Sequence, residues 1–215
     1  MTRKLPPTAS VAAQIDGAKM YAPAAERNAD ALCMLLRDHA PQKGKALELA
    51  SGTGQHVAAF ARSLPGLTWQ PTEFDPIRLA SINAYAAEAD LDNIAAAQHL
   101  DATRGDWSAR FGQQNLIVLI NLTHLITTAE TINVVTQALR ALVPGGKFVL
   151  YGPFMRAGQL TSDGDARFHA QLSGANPAIG YKDDTQIEDW LRIAGATDVQ
   201  RIEMPANNLA FIATR

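Results

Sequence analysis

Short apolar runs that alternate with amphipathic segments, strands that are apolar along their whole length, and two closing strands only a few residues apart predict a doubly wound α/β fold. A strand apolar on both faces needs helices on both sides, and a parallel sheet built by right-handed crossovers supplies them. The last two runs, Asp198 to Met204 and Leu209 to Thr214, are separated only by Pro205 to Asn208, which is too short for a crossover and demands an antiparallel hairpin.

The elements follow in order. Pro6, Pro7 and Gly17 lie among small side chains without clear periodicity, so the chain begins as an irregular, partly mobile arm. Pro23 then opens a helix from Ala24 to His39, with Ala24, Ala31, Leu32, Leu35 and Leu36 on one face, and Pro41 closes it. Residues 1–43 form this arm and helix, a candidate lid, and residues 44–215 form the domain proper. There a strand at Ala46 to Ala50 leads to a helix at Gln55 to Ser63, a strand at Leu67 to Thr72 and a helix at Ile77 to Ala89. Ile94 to Leu100 is a weaker strand and Leu116 to Asn121 a strong one. Thr127 and Glu130 form a capping box for the helix Thr128 to Leu142, whose stripe is Ile132, Val135, Leu139 and Leu142. Pro144 to Gly146 turn into the strand Lys147 to Tyr151. A glycine-containing insert between Phe154 and Tyr181 reads as a mobile substrate-side loop or a merely long connector, and a helix from Thr185 to Ala194 precedes the hairpin.

At 215 residues and 47% hydrophobic, the chain suits one domain with a sizeable core. A net charge of -2 gives no general attraction to polyanions, so neither nucleic acid nor an anionic membrane is an expected partner. Arg3 and Lys4 precede no apolar stretch, and no run approaches the ~20 residues that span a bilayer. Cys33, the sole cysteine, sits on a leucine-rich helical face and reads as a buried thiol. With no metal-spaced Cys or His pairs, the expectation is no metal and a reducing, cytoplasmic setting.

In such a sheet the ligand lies beyond the carboxyl ends of the strands, where the strand order reverses. The first strand of the domain ends in Glu48-Leu-Ala-Ser-Gly-Thr-Gly54. Gly52 and Gly54 allow a tight turn and a close approach of backbone to ligand, and the following helix presents free N–H groups. A dinucleotide fingerprint needs Gly or Ala where this chain has Val57, which argues against NAD and FAD. Glu73, just past the second strand, is placed to accept the hydroxyls of an adenosine ribose, with Asp75 as the neighbouring alternative. Asp101, after the third strand, is placed to accept from an adenine amino group. Each acid also reads as a solvated loop residue when taken alone.

The Glu48 to Gly54 segment, the acid at Glu73 and the late hairpin together resemble the class I S-adenosylmethionine-dependent methyltransferases, over about residues 44–215. More narrowly, Tyr21-Ala-Pro-Ala-Ala-Glu-Arg-Asn28, Ser51-Gly-Thr-Gly-Gln-His56, Tyr151-Gly-Pro-Phe154 and Glu203-Met-Pro-Ala-Asn-Asn208 are similar to a subfamily that includes methyltransferase-like protein twenty-six. The resemblance implies a seven-stranded sheet ordered 3-2-1-4-5-7-6 with the last strand antiparallel, and S-adenosylmethionine lying against Ala50, Ser51, Gly52 and Gly54. Glu48, Glu73, Asp75, Asp101 and Asn121 complete the candidate cofactor set. Arg27 joins it if the arm closes and its guanidinium meets the cofactor carboxylate; a surface salt bridge is the other account. Ala50 departs from the pattern, which has Gly there; alanine keeps the site small but forbids some backbone angles.

Methyl transfer is an in-line displacement, and alignment can supply most of the catalysis without a nucleophilic side chain. Where the acceptor must lose a proton, His124 is the candidate base, because it follows the fourth strand; a capping or packing histidine is the alternative. Tyr21, Tyr151, Phe154, Asn207 and Asn208 are candidates for the acceptor pocket, beside ordinary turn and core roles. His56, in the first turn of the cofactor helix, lines the pocket or covers the helix end. The expected activity is methyl transfer to a small molecule or an exposed protein group. The rivals are a cofactor-binding sensor or partner protein without transferase activity and a nicotinamide-dependent oxidoreductase.

Overall fold

A computed structural model describes residues 5–215. Arg3 and Lys4 lie outside the described residues. An antiparallel pair, β1 (Ala13–Asp16) and β2 (Lys19–Tyr21), precedes helix α1 (Pro23–His39). The chain continues as β3 (Gly44–Leu49), α2 (Gln55–Ser63), β4 (Leu67–Glu73), α3 (Pro76–Ala89), β5 (Gln98–His99), the short α4 (Trp107–Arg110) and β6 (Gln114–Ile120). A 3-10 turn at Thr123–Leu125 leads into α5 (Thr128–Ala141) and β7 (Leu142–Met155). Then come α6 (Asp163–Ala175), β8 (Lys182–Asp183), α7 (Asp184–Ile193), β9 (Asp198–Met204) and β10 (Asn208–Thr214).

The main sheet runs β5-β4-β3-β6-β7-β10-β9, with β8 added beside β7. Counted along the domain, this is the order 3-2-1-4-5-7-6. Every pair from β5 to β7 is parallel, and β10 is antiparallel to both β7 and β9. Alternation along the strands divides the core between the two faces. Leu47, Leu49, Ile117, Leu119, Phe148 and Leu150 pack against α5 and α7. Ala46, Leu116, Val118 and Val149 pack with Leu32 and Leu36 of α1 and Val57 and Phe60 of α2. Each fully buried leucine here contributes about 1.5–3 kcal/mol of burial, so both faces are held firmly.

The structure corrects several local expectations. The arm is not irregular throughout: Gly17, at φ +53°, turns the β1-β2 hairpin, and Met20 N–H donates to Ser81 Oγ at 2.8 Å on α3. The insert contains α6, capped by Ser162, rather than only a loop. The expected third strand is interrupted: Ile94 makes an isolated parallel bridge to Trp69, the Gln70 side chain donates to the Ala96 carbonyl, and the ladder resumes only at Gln98–His99. β7 begins at Leu142: Gln114 pairs with Leu142 and Leu116 with Lys147, so residues 143–146 bulge from the register. Ile132 is exposed on α5, whose buried stripe is instead Thr131, Val134, Val135, Ala138 and Leu139. Cys33 is buried. Among the described residues, no helix is long and apolar enough to cross a membrane.

Candidate functional site

The strand order reverses between β3 and its neighbours β4 and β6, and the loop that leaves β3 at this point is built from left-handed backbone, which strains Ala50 and suits the glycines. Ala50, Gly52 and Gly54 all have positive φ, at +52°, +60° and +94°. Hydrogen bonds to the end of β4 hold the loop. Ser51 N–H donates to the Thr72 carbonyl at 2.8 Å, the Thr72 hydroxyl to the Glu48 carbonyl at 2.8 Å, and Gly52 N–H to Glu73 Oε2 at 2.9 Å. Glu73 Oε1 accepts from the N–H groups of Phe74 and Asp75 at 2.7 and 3.3 Å. Three backbone amides thus bind one carboxylate, which ties the glycine loop to the second strand.

The two glycines have different surroundings. A Cβ on Gly54 would lie 2.6 Å from the Cα of Ile82, so this residue lets α2 and α3 pack closely. A Cβ on Gly52 would meet only the Arg78 guanidinium, at 3.7 Å. Gly52 therefore faces open space at the carboxyl end of the sheet. Beside it Glu48 is 2% exposed, and its Oε2 has no hydrogen-bond partner. Burial pushes this carboxyl up to about 8, against a lowering contact with Ser51, and the nearby Glu73 adds to the rise.

Around the loop, Asp75 caps α3 through Ile77 N–H at 2.9 Å. Asp101 accepts from Thr103 N–H at 3.0 Å and pairs with Arg104 at 3.4 Å. Phe74, 53% exposed, places its ring 5.4 Å from that of His99, which makes an open aromatic wall between Glu73 and Asp101. Arg78 donates to Ser10 Oγ at 2.6 Å, and Thr8 to Gln171 Oε1 at 2.9 Å. The arm therefore runs from α6 to α3.

At the end of β6, Asn121 has φ +56° and donates its N–H to the Tyr151 carbonyl at 2.9 Å. His124 is buried, and neither its Nδ1 nor Thr123 Oγ1 has a partner. Its ring centroid lies 5.7 Å from Phe168 and 6.2 Å from Tyr181, both in edge contact. Burial, aided by Lys182, lowers its basicity to about 3, so the imidazole is neutral. In this arrangement it is a hydrogen-bonding group and a poor general base. Leu5 and Ala9 of the arm join Phe168, Leu172, Ile179 and Tyr181 in a small apolar cluster above it.

The remaining candidates separate. Tyr151 is buried on the α1 side, where burial raises its hydroxyl against a lowering contact with Asn28. Asn28 also holds His56 Nε2 at 2.7 Å, and burial lowers His56 to about 4. Phe154 takes the core role: its ring is buried against Phe211, at a centroid distance of 5.0 Å. Asn207 Nδ2 donates to Asp165 Oδ2 at 3.2 Å, and Asn208 Nδ2 donates to the Pro205 carbonyl at 3.0 Å, so both amides fasten the hairpin. Arg27 is exposed on α1. Tyr21 lines a groove of about 240 Å³ with Gln55, Arg62 and Tyr85. A larger cleft, about 590 Å³, lies among Thr128, Met155, His169, Tyr181 and Gln186; it does not border Ala50 to Gly54. Among the described residues, no group of three or more His, Cys, Asp or Glu is arranged to hold a metal ion.

Sequence reasoning missed Phe74, Arg78 and Asn28. An apolar residue directly after a strand-end acid was the available sign for Phe74. For Asn28 it was a polar residue one turn before Leu32 on the core stripe of α1.

A family model described as a protein of unknown function, DUF938, matches residues 19–215, and the chain belongs to that family. Among solved structures, it is similar to an O-methyltransferase family protein from Burkholderia thailandensis, with 18% identity, a TM-score of 0.75, and coverage of 89% of this chain and 56% of that one. Human N-acetylserotonin methyltransferase, solved with S-adenosylmethionine, gives 14% identity, a TM-score of 0.73, and coverage of 89% and 52%. The S-adenosylmethionine-dependent methyltransferase SibL gives 18%, 0.73, 89% and 55%. The chain therefore spans little more than half the length of these structures, and at such identities the likeness shows the fold.

Proposed function

We propose that this member of the family binds S-adenosylmethionine at the loop from Ala50 to Gly54 and transfers its methyl group to a small-molecule acceptor. The observation that carries the reading is Gly52: its φ is +60°, its N–H is held by Glu73, and the space beyond its Cα is open at the switch point of the sheet. The residues present fit the cofactor. Phe74 offers an exposed face for a planar base, Asp101 lies past the end of β5 for an exocyclic amine, and the unpartnered Glu48 Oε2 can accept from an ammonium. The neighbours' names support the activity, and the four motifs quoted above support the closer resemblance to the subfamily of methyltransferase-like protein twenty-six. Buried Cys33 suits a reducing, cytoplasmic setting.

When bound, S-adenosylmethionine supplies a methyl group already activated on a sulfonium. The chain's own part is positioning and exclusion of water. Glu73 fixes the loop, the arm and α6 form a roof through Thr8–Gln171 and Ser10–Arg78, and neutral His124 can hydrogen-bond an acceptor under Phe168 and Tyr181. Burial disfavours the imidazolium and makes His124 a weak base, which suits an acceptor whose proton passes to solvent or is absent from the start.

Calorimetric titration with S-adenosylhomocysteine, S-adenosylmethionine and NADH tests the site: one-to-one, micromolar binding of the adenosyl ligands alone is expected. Incubation with methyl-labelled S-adenosylmethionine and a small-metabolite extract then tests transfer. Label that stays on the cofactor despite tight binding would favour a sensor or partner protein, a reading that the buried, weakly basic His124 also suits.

A further inference from the structure

We propose that Glu48 makes binding at this site a proton exchange that selects adenosyl ligands carrying an amino group: the ligand enters as the ammonium, and the carboxyl releases its proton to solvent. This rests on the reading of the loop as an S-adenosylmethionine site and adds to it a specificity-determining residue.

Glu48 stands at the carboxyl end of β3, buried, with Oε2 lacking any hydrogen-bond donor. Among the described residues no Lys or Arg pairs with it. The titratable groups on the packed elements do not relieve it. Glu73 on β4 is a second carboxylate, already fixed by three amides, and its charge opposes another beside it. His56 on α2 is kept neutral by burial, and Tyr151 on β7 is kept protonated. A buried carboxylate without a cation costs several kcal/mol, and the contact with Ser51 offsets only part of that, so the group stays neutral while no cation faces it. Its rise to about 8 agrees with that geometry.

An ammonium reverses the balance. The neutral carboxyl gives up H⁺, the carboxylate accepts N–H donors from the ligand, and the orphaned Oε2 gains its partner. Charge balances within the subsite: the ligand's ammonium replaces the proton that Glu48 gives to solvent, and the ligand's own carboxylate takes no part in the exchange. A ligand lacking the amine gives the carboxyl no reason to ionise.

The test is calorimetry of the full chain between pH 6 and 7.5, in phosphate and in Tris, whose different heats of ionisation reveal the protons exchanged. S-adenosylhomocysteine carries the amine, and 5′-methylthioadenosine lacks it. About one proton released per S-adenosylhomocysteine is expected, with affinity falling up to tenfold for each pH unit of acidification. 5′-Methylthioadenosine should release none, and Glu48→Gln should abolish release by S-adenosylhomocysteine. One-to-one binding of S-adenosylhomocysteine without proton release would overturn the proposal while leaving the cofactor reading intact. Absence of binding by either ligand would overturn both. Should Glu48→Gln not fold, the comparison of the two ligands on the unaltered chain decides.

Discussion

The two glycines of the loop should fail in opposite ways when each becomes alanine. In Gly54→Ala the new Cβ lies 2.6 Å from the Ile82 Cα, where carbon contacts need about 3.5–4.0 Å, so α3 has to retreat by about 1 Å. Overpacking of that kind costs about 1–3 kcal/mol, and positive φ adds about 1–2 kcal/mol for an L residue. Less the ~0.4–1 kcal/mol gained from a less flexible unfolded chain, the loss is about 3 kcal/mol, or roughly 6–12 °C in Tm for a domain of this size. Gly52→Ala meets no atom nearer than Arg78 at 3.7 Å, and φ +60° lies in the region alanine can enter. Its stability should stay within about 1 kcal/mol, while its methyl group enters the space assigned to the proposed cofactor; Gly52→Val should abolish binding outright. Thermal unfolding and titration with S-adenosylhomocysteine read the two effects separately. If Gly54→Ala unfolds with the wild type, or Gly52→Ala keeps full affinity, the division of labour is wrong.

Ala50→Gly should raise stability by up to about 1 kcal/mol in denaturant unfolding, since it relieves φ +52° but loosens the unfolded chain. Phe74→Ala should leave Tm nearly unchanged, because the ring is half exposed, yet weaken S-adenosylhomocysteine binding by about 0.5–1.5 kcal/mol in calorimetry. Glu73→Ala frees three amides and should weaken the same binding by about 1–3 kcal/mol, and unchanged affinity would remove Glu73 from the site. For Glu48 the folded value of about 8 lies above the unfolded 4.5, so its contribution is present below pH 4.5 and is lost as pH rises towards 8. At pH 7 the deficit is about 3 kcal/mol, and Glu48→Gln should unfold later than wild type there but not at pH 4.5.

What could be read from the chain follows from how local each signal is. The helix at Gln55 to Ser63, the capping box at Thr127 and Glu130, and the closing hairpin depend on near neighbours and were legible. The β1-β2 hairpin was not, because all four residues of β1 are exposed and the anchors on β2, Met20 to Ser81 and Lys19 to Glu88, cross more than sixty positions. Helix α6 buries only Leu172, so no apolar stripe announced it, although Ser162 and Asp165 offered a cap. Within the site, acids at strand ends could be named, but their states could not. Glu73 is held by three backbone amides and Glu48 leaves Oε2 without a partner, and only the folded loop decides which is which. The contacts of Asn28 with His56 and Tyr151 join three elements that sequence spacing cannot bring together.

Strain gathers at the carboxyl end of the parallel strands. Ala50, Asn121, Ala157, Ala206 and Asn207 all follow or join strands there with positive φ, and Glu48, Thr123 and His124 leave polar atoms unpaired beside them. Gln113 and Gln114 show similar features at the opposite end, so neither property is unique to a site. The difference is density: several strained or unpaired groups surround the one place where the backbone opens around Gly52. Such features cost of order 1–3 kcal/mol each and persist only where the surrounding packing over-determines them, which the apolar clusters on both faces of β3 and β6 do here. Relieving the strain should therefore raise stability while lowering affinity. That opposition of sign separates a ligand site from a poorly packed edge, where the same changes would raise stability and leave binding untouched.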